Sequence, residues 1–362
     1  MRASQRRTIR KSAADGGRQG FQRQPVLLMD AAGRIEQNRT WRRYEYETGR
    51  TVLRSLPDVF AIESTNYCNI RCVMCPRGEP DLMQRPLGHM DDDVFRNIID
   101  GWELFTEPCW FHWFGEPLMH PRLFEQIAYA KAAGVRNLGI SSNATLLTEA
   151  RCEQLLGSEL DTLMLCIDGT DAATYENIRR SAAFSYDEVC ENVRRFLALR
   201  ARRGRTRPHT MLQIIVMEET RAQLDDFAAL WKAGGADEIV FKPYTVWGSQ
   251  SEHDFAAHAP AEQRTSLNAA TRSHPCANLW SSLVIAWDGT VVPCCYDYDT
   301  AMPMGNVREQ PLNEIWNGEA YRALREAEAA GRNASPLCRN CTEAPGYVAT
   351  GLPAPPAGYP LD

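Results

Sequence analysis

The sequence lacks a long apolar run. No apolar stretch in its 362 residues approaches the ~18 residues that a membrane-spanning helix requires. Arg6 and Arg7 are adjacent, as in a twin-arginine export signal, but such a signal needs an apolar core behind its basic residues. Alanine, aspartate, glycine, arginine and glutamine follow here instead. We therefore expect a cytoplasmic protein with no membrane partner.

The sequence also lacks an excess of positive charge. Its 40 lysines and arginines against 46 acidic residues give a formal charge of −6. A chain with this charge has no general attraction for nucleic acid, so we expect no nucleic-acid partner. The basic residues of the first 25 positions are a local exception. Their composition favours a solvated, disordered segment over a tail that binds a polyanion.

Cysteine, by contrast, is abundant, with 12 in the chain. A chain of this length can build a hydrophobic core without disulfide bonds, and a reducing compartment disfavours them. Cysteine in this number therefore indicates metal binding.

Composition divides the chain into four segments. Residues 1–57 form a polar N-terminal extension that we expect to be partly disordered, with an ordered hairpin at "TWRRYEYETGR". Residues 58–250 and 251–345 are predicted to be a large and a small domain. Residues 346–362 are rich in proline and glycine, which predicts a tail that is unstructured or lies on the surface.

Strand-like and helix-like patterns alternate through residues 58–250. Six short apolar runs, from "VFAIEST" to "EIVFKPYTV", are separated by amphipathic stretches such as "PRLFEQIAYAKAAG". This alternation predicts an α/β fold with a parallel sheet built from βα units. Six units suit a partial (β/α)6, TIM-like barrel, whose functional residues lie at the carboxyl ends of the strands.

Cys68, Cys72 and Cys75 lie together directly after the first predicted strand. A structural zinc site usually has four protein ligands, and this loop has no fourth cysteine or histidine. A [4Fe–4S] cluster is held by thiolates. Three cysteines would leave one of its irons open, as a catalytic metal keeps a free coordination position.

This cysteine spacing, on this loop of an alternating α/β chain, resembles the radical S-adenosylmethionine (SAM) superfamily. The resemblance implies a [4Fe–4S] cluster whose open iron is chelated by the amino and carboxylate groups of SAM. It further implies that an electron from the cluster breaks the sulfonium C–S bond to give a 5′-deoxyadenosyl radical.

Further landmarks of the family follow in order along the chain. "WFGEPLMHP" resembles its Gly-Gly-Glu-Pro segment, which receives the SAM amino group, with Phe114 in place of the first glycine. "SSNATLL" resembles a strand end that contacts the ribose, and "LCIDG" resembles the Ser-x-Asp-Gly strand end. The resemblance thus assigns eight residues to SAM: Met74, Phe114, Gly115, Glu116, Ser141, Asn143, Cys166 and Arg179.

Two of these assignments have a specific rationale. Arg179 lies where relatives hold the SAM carboxylate, and a guanidinium group pairs bidentately with a carboxylate. Met74 lies where relatives present a backbone group to the adenine.

Some of these residues also have an ordinary structural interpretation. Glu116 could cap a helix that begins near Pro117. Arg179 could be a solvated helix residue, and Asn143 a turn former.

A second group of cysteines occupies the C-terminal segment. "LVIAW", an Asp-Gly turn and "TVVPC" predict a hairpin, and four thiols follow a ligand-like spacing: Cys276, Cys294, Cys338 and Cys341. Spacing alone does not separate a zinc ion from a cluster. In this context the pattern resembles the SPASM domain in its shortened "twitch" form, which implies one auxiliary [4Fe–4S] cluster. We prefer Cys294 as a ligand because of its spacing from Gly289, and Cys295 is the alternative.

The remaining cysteines differ in expected role. Cys152 and Cys190 lie on apolar helix faces and are predicted to be core residues, whereas Cys109 begins a strand. Cys166 shares a strand face with Asp168, toward the barrel interior. We favour packing or contact with SAM for Cys166, and a catalytic role as hydrogen-atom donor is the alternative.

The predicted reaction is a radical oxidation. The layout resembles the aminocyclitol dehydrogenase of butirosin biosynthesis and related sugar-tailoring enzymes, which implies alcohol oxidation with the auxiliary cluster as electron acceptor. The N-terminal segment is too short and polar for the leader-binding domain of peptide-modifying relatives. We therefore expect a small polar substrate, such as a sugar, an aminocyclitol or a nucleoside-like intermediate. The expected protein partner is a one-electron donor such as flavodoxin or ferredoxin.

Three alternatives remain open. The first is a radical epimerase, lyase or decarboxylase with Cys166 as hydrogen donor. The second is a peptide- or protein-modifying enzyme, and the third is a non-enzymatic iron–sulfur or zinc scaffold. Near the last barrel strand, Lys242 and Tyr244 could hold substrate hydroxyls or an acidic group, although Lys242 could equally be a surface lysine.

Overall fold

The computed structural model describes most of the chain between residues 31 and 360. The described residues are 31–79, 81–102, 109–245, 247, 255–261, 275–331, 337–338, 341, 354–356 and 358–360. Residues 1–30 of the predicted N-terminal extension therefore lie outside them, as does most of the predicted tail. Within the described part of the chain, no helix is long and apolar enough to cross a membrane.

Six parallel strands alternate with helices in the first two thirds of the chain. The strands are β1 (Asp58–Ile62), β2 (Cys109–Trp110), β3 (Leu138–Ser142), β4 (Thr162–Cys166), β5 (His209–Val216) and β6 (Glu238–Pro243). The helices are α1 (Ala31–Glu47), α2 (Asp92–Asp100), α3 (Leu123–Ala132), α4 (Glu149–Gly157), α5 (Ala172–Arg179), α6 (Tyr186–Arg202) and α7 (Leu224–Ala233). Neighbouring strands pair in sequence order from β1 to β6. The predicted α/β class, with a parallel sheet of six strands, is confirmed.

The C-terminal segment extends the same sheet. It contains β7 (Ser282–Ile285), β8 (Thr290–Val292) and β9 (Gly305–Asn306), with helices α8 (Asn278–Ser281), α9 (Leu312–Trp316) and α10 (Glu319–Ala330). β7 pairs parallel to β1, and β8 and β9 follow as antiparallel neighbours. The predicted β7–β8 hairpin is therefore present. It is joined to the barrel sheet through the pairing of β7 with β1.

Local sequence signals explain where the barrel helices begin. α2 starts after Asp91, whose side chain accepts a hydrogen bond from the Val94 amide. α6 starts after Ser185, which forms a reciprocal capping box with Glu188. A cap of this kind contributes about 1 kcal/mol to helix stability.

The barrel helices cover one large hydrophobic core, and their buried residues recur at helical spacing. On α2, Val94, Phe95, Ile98 and Ile99 are all buried. Cys152 on α4 and Cys190 on α6 are buried in the same core, as predicted.

The hairpin predicted at "TWRRYEYETGR" is wrong, because most of this segment belongs to helix α1. Trp41 and Tyr44 are three residues apart and therefore share one helix face. Both contact the ring of Tyr359, with centroids 5.6 and 4.8 Å away. Tyr359 is buried, and its hydroxyl donates a 2.9 Å hydrogen bond to Glu45 Oε1. Packing against Tyr359, which lies 314 positions after Glu45, therefore favours the helix. The local sequence does not reveal this contact.

Candidate active site

A cavity of about 410 Å³ lies at the carboxyl ends of the barrel strands. Parallel strands present their carboxyl ends at one edge, so the loops after each strand converge there. The cavity is lined by all three cysteines of the first group and by all eight residues assigned to SAM: Cys68, Cys72, Cys75, Met74, Phe114, Gly115, Glu116, Ser141, Asn143, Cys166 and Arg179. Residues as far apart in sequence as Cys72 and Arg179, 107 positions, are thus brought together.

The three thiols lie on the loop after β1. The Cys75 amide donates to the Cys72 carbonyl at 3.1 Å, and the neighbouring Val73 amide donates to the Ile178 carbonyl at 2.9 Å. Burial, together with the charge of Cys72, raises the pKa of Cys68 to about 11 and that of Cys75 to about 12. Buried thiols with these pKa values bind metal by releasing their protons. The donor set therefore fits a cluster held by three thiolates.

Glu116 is buried and accepts three hydrogen bonds. Oε1 accepts from the Leu118 amide at 3.1 Å and the Ser142 hydroxyl at 2.9 Å, and Oε2 accepts from the Asn143 amide at 2.7 Å. Glu116 therefore caps the short 3₁₀ helix Pro117–Met119, as the structural interpretation predicted. A carboxylate has about four acceptor positions, so one remains for the amino group of SAM. Burial raises the pKa of Glu116 to about 7, and a neighbouring ammonium group would favour its ionised form.

Gly115 allows the chain to pass close to the loop after β1. Its φ is +84°, and a Cβ atom there would lie 2.4 Å from the Thr65 carbonyl oxygen and 2.7 Å from that of Tyr67. The following amide, that of Glu116, donates to the Tyr67 carbonyl at 2.7 Å. Only glycine fits at this position.

Phe114, which replaces a glycine of the family pattern, is accommodated by a cluster of aromatic side chains. Its ring centroid lies 5.5 Å from that of Trp247 and 6.5 Å from that of Tyr298. The side chain is buried, so the departure from the family pattern is absorbed by packing.

Arg179 is buried and is not a solvated helix residue. Its Nη2 forms an ion pair with Asp168 Oδ2 at 2.7 Å. The geometry of this pair does not meet the requirements of a hydrogen bond. Arg179 Nη1 donates to Cys72 Sγ at 3.7 Å. Its Nε is buried and has no hydrogen-bond partner among the described residues. An orphaned guanidinium donor beside the thiol group fits the SAM carboxylate.

Asn143 has the predicted turn role and also lines the cavity. Its Oδ1 accepts from the Thr145 amide at 3.0 Å, and its Nδ2 donates to Asn69 Oδ1 at 2.9 Å. The bond to Thr145 forms an Asx turn at the end of β3. The turn interpretation and a position in the cofactor cavity are therefore compatible.

Cys166 is held between two polar side chains in the cavity wall. Its Sγ lies 3.1 Å from Ser141 Oγ and accepts from Gln213 Nε2 at 3.4 Å. Burial raises its pKa, so the sulfur carries its proton near neutral pH.

The structure adds cavity residues that we did not predict: Trp110, His112, Trp113, Gln213 and Trp247. Trp110 and His112 are two positions apart on and after β2, and strand alternation could have revealed that they share a face. Lys242 lines the cavity, whereas Tyr244 does not. Tyr244 is buried in a cluster with Ile70 and Met217.

A second pocket lies beside the β7–β8 hairpin. All four predicted auxiliary ligands line it: Cys276, Cys294, Cys338 and Cys341. Cys295 is not among its lining residues. Burial and the charge of Cys295 raise the pKa of Cys294. Four thiols around one apolar pocket fit a cluster with no open iron.

Comparison with known protein families agrees with both sites. Residues 62–230 match the family model of the radical SAM superfamily. Residues 276–342 match that of the iron–sulfur cluster-binding domain SPASM.

Several curated relatives align over most of their length. A tungsten-containing aldehyde ferredoxin oxidoreductase cofactor-modifying protein of Pyrococcus furiosus is 26% identical, with 73% of this chain and 82% of the relative covered. An AdoMet-dependent heme synthase of Methanosarcina barkeri is 24% identical, with 83% and 95% covered. An S-adenosyl-L-methionine-dependent 2-deoxy-scyllo-inosamine dehydrogenase of Niallia circulans is 22% identical, with 77% and 90% covered.

Among solved structures, SuiB of Streptococcus suis bound to S-adenosylmethionine shares the fold. Its TM-score is 0.59 at 13% identity, over 77% of this chain and 70% of that chain. The family matches assign a [4Fe–4S] cluster and SAM to the first domain and auxiliary iron–sulfur binding to the second, in agreement with the two thiol-lined pockets. The chain therefore contains a radical SAM domain and a C-terminal SPASM domain.

Proposed function

We propose that this enzyme oxidises an alcohol of a small polar natural-product intermediate, such as a sugar, a cyclitol or a nucleoside-like molecule. The observation that supports this most directly is the presence of two separate thiol-lined pockets beside one sheet, the first with three cysteines of the β1 loop and the second with four cysteines. The relative from Niallia circulans is named as a dehydrogenase, which agrees with the proposal.

The residues have distinct proposed roles. Cys68, Cys72 and Cys75 hold the cluster that binds SAM, while Glu116 and Arg179 orient the amino and carboxylate groups of SAM. The second pocket holds one auxiliary [4Fe–4S] cluster through a further set of ligands: Cys276, Cys294, Cys338 and Cys341.

The electron balance explains the need for a second pocket. A cluster held by Cys68, Cys72 and Cys75 would, with SAM, supply a 5′-deoxyadenosyl radical able to remove one hydrogen atom from the substrate carbon. An alcohol becomes a carbonyl only if it then loses one more electron and one proton. A cluster held by the four cysteines of the second pocket would accept that electron, and solvent would take the proton. An external donor such as flavodoxin or ferredoxin supplies the electron that cleaves SAM.

Cys166 supports a second candidate function, radical epimerisation. Its protonated thiol lies in the cavity wall and has a hydrogen atom to donate to a substrate radical. Donation would return the substrate to its original oxidation state with inverted configuration and leave a thiyl radical on Cys166. One electron from the external donor and one solvent proton would restore the thiol. The Ser141 and Gln213 contacts favour an anchoring role for this thiol, so we place oxidation first.

The test uses anaerobically reconstituted enzyme, reduced with dithionite and given SAM in deuterated water with a panel of sugars, cyclitols and nucleosides. We expect 5′-deoxyadenosine and a product lighter by two hydrogens. A product that gains one deuterium at unchanged oxidation state would instead support epimerisation, and loss of carbon dioxide would indicate a decarboxylase. A preparation with its full iron content that releases no 5′-deoxyadenosine would refute radical chemistry.

A matched pair of variants separates the two candidates further. The Cys166→Ala variant should still oxidise the substrate, because a thiol that only packs in the cavity wall takes no part in the reaction. Cys152→Ala, a buried cysteine outside the cavity, controls for the loss of a core thiol.

A further inference from the structure

The cavity has a second region that the proposed cofactor residues leave largely unused. Alternate residues of a strand face the same side, and pairs two positions apart line the cavity: Trp110 and His112, Met164 and Cys166, Gln213 and Ile215, and Val240 and Lys242. Cys166 is in register with Gln213, and Gln213 with Val240. These eight residues, here called the strand-end surface, lie on or directly after four of the barrel strands.

Lys242 is the charged residue of the strand-end surface, near the end of β6. It has no ion-pair partner among the described residues, and its side chain is exposed. Glu238 lies four positions earlier on the same strand, but it pairs with His209 at 3.1 Å. The positive charge of Lys242 is therefore uncompensated within the described part of the chain.

The other charged residues that line the cavity already have partners. Glu116 accepts three hydrogen bonds, and Arg179 pairs with Asp168. Arg77 donates to the Asn66 carbonyl at 3.0 Å beside the cysteine loop. SAM would bring one carboxylate and one amino group to Arg179 and Glu116, so its binding leaves Lys242 without a counter-charge.

His112 adds a neutral donor to the same wall. Its Nδ1 accepts a 3.1 Å hydrogen bond from the Ser141 amide, so the neutral imidazole carries its proton on Nε2. Burial, and after it the charge of Lys242, lowers the pKa of His112 to about 3. The ring is therefore uncharged near neutral pH, and Nε2–H is available to a ligand in the cavity.

We propose that the strand-end surface binds an anionic group of the substrate, a carboxylate or a phosphate, with Lys242 as its counter-charge and His112 Nε2 as a hydrogen-bond donor. The apolar side chains of Trp110, Met164 and Val240 would pack against the body of the molecule. This inference rests on the function proposed above and narrows its substrate to an acidic sugar or a sugar phosphate.

An amine-bearing substrate fits this wall poorly. Its ammonium group would share the cavity with Lys242, and like charges at close range are unfavourable in a partly buried site. The proposed substrate class therefore differs from that of a relative whose name denotes an inosamine.

The test measures binding without turnover. Oxidised, reconstituted enzyme with SAM bound is titrated by calorimetry with four molecules on one ring scaffold: D-glucuronate, D-glucose 6-phosphate, D-glucose and D-glucosamine. We expect at least one of the two anions to bind at least ten-fold more tightly than glucose, and glucosamine to bind more weakly than glucose. The better of the two anions identifies the group as carboxylate or phosphate.

Three variants complete the test. Lys242→Met should abolish the preference for anions, Lys242→Arg should retain it, and Lys232→Met, at an exposed lysine of α7, should leave it unchanged. Anions that bind no better than glucose, a preference that survives in Lys242→Met, or no measurable binding of any of the four would overturn the inference. The binding titration uses oxidised enzyme and does not depend on SAM cleavage. A failure to form 5′-deoxyadenosine in the same preparations would therefore count against the proposed function and not against this inference.

Discussion

The indole N–H of Trp113 donates a 2.9 Å hydrogen bond to the backbone carbonyl of Cys295. Trp113 lines the cavity at the ends of the barrel strands, and Cys295 directly follows Cys294, which lines the second pocket. The Arg85 guanidinium lies over the Trp113 ring at 4.8 Å and helps to hold it in place. A side chain of the first site's wall therefore contacts the residue next to a lining cysteine of the second site.

Replacement of Trp113 by Phe should weaken the link between the two pockets. Phe keeps an aromatic ring but loses the N–H that contacts Cys295. We expect several-fold less oxidised product for each 5′-deoxyadenosine formed, because the substrate radical passes its electron to the auxiliary cluster less efficiently. Quantification of both products by mass spectrometry measures this ratio. Trp287→Phe, which removes an indole N–H that bonds to the Pro86 carbonyl, is the control, and an unchanged ratio in Trp113→Phe would refute the proposed link.

Cys294 and Cys295 should differ in their effect on iron content. Cys294 lines the second pocket with three other cysteines, whereas Cys295 does not line it. We expect Cys294→Ser to lose one cluster's worth of iron and sulfide, and Cys295→Ser to retain the wild-type content. Iron and sulfide assays after anaerobic reconstitution measure this difference. The reverse result would assign the ligand to Cys295.

Glu116 should make the stability of the SAM-free protein depend on pH. Burial raises its pKa from the ordinary 4.5 to about 7, so the folded state binds a proton more tightly than the unfolded state between these values. The contribution of Glu116 to the free energy of unfolding therefore falls as pH rises from about 4.5 to 7, by roughly 3 kcal/mol if each pKa unit is worth 1.36 kcal/mol.

Chemical unfolding of wild type and Glu116→Gln at pH 5.5 and 7.5 tests this expectation. The wild type should lose more stability than the variant between the two pH values, because glutamine does not titrate. Equal pH dependence in both proteins would show that Glu116 ionises normally. The variant should also bind SAM at least ten-fold more weakly, since a hydrogen bond to a charged group contributes about 1.5–3 kcal/mol.

Gly115→Ala should destabilise the protein more than Gly134→Ala. Both glycines have positive φ, +84° and +94°, so each alanine carries the left-handed backbone cost of about 1–2 kcal/mol. Only at Gly115 would the new Cβ meet backbone oxygen, at 2.4 Å from Thr65, whereas nothing among the described residues lies within 4 Å at Gly134. We expect an additional loss of about 1–3 kcal/mol at Gly115 from this steric overlap, measured by denaturant unfolding. Equal losses would show that the loop after β1 moves aside.

The sequence was informative wherever chemistry depends on short spacing. The cysteine loop, the segment around Glu116 and the strand end at Cys166 are local patterns, and the strand–helix alternation predicted the parallel sheet that brings them to one edge. Local signals did not show that "TWRRYEYETGR" is helical, since its conformation depends on packing against Tyr359.

Only the tertiary structure decided which distant groups meet. The pairing of β7 with β1, the Trp113–Cys295 hydrogen bond and the shared cavity of Lys242 and His112 all join segments far apart in the chain. Residue type and spacing determine what a segment can bind and which local structure it favours. Contacts between segments depend on the path of the whole chain, because burial and pairing energies are gained only after the sheet has formed.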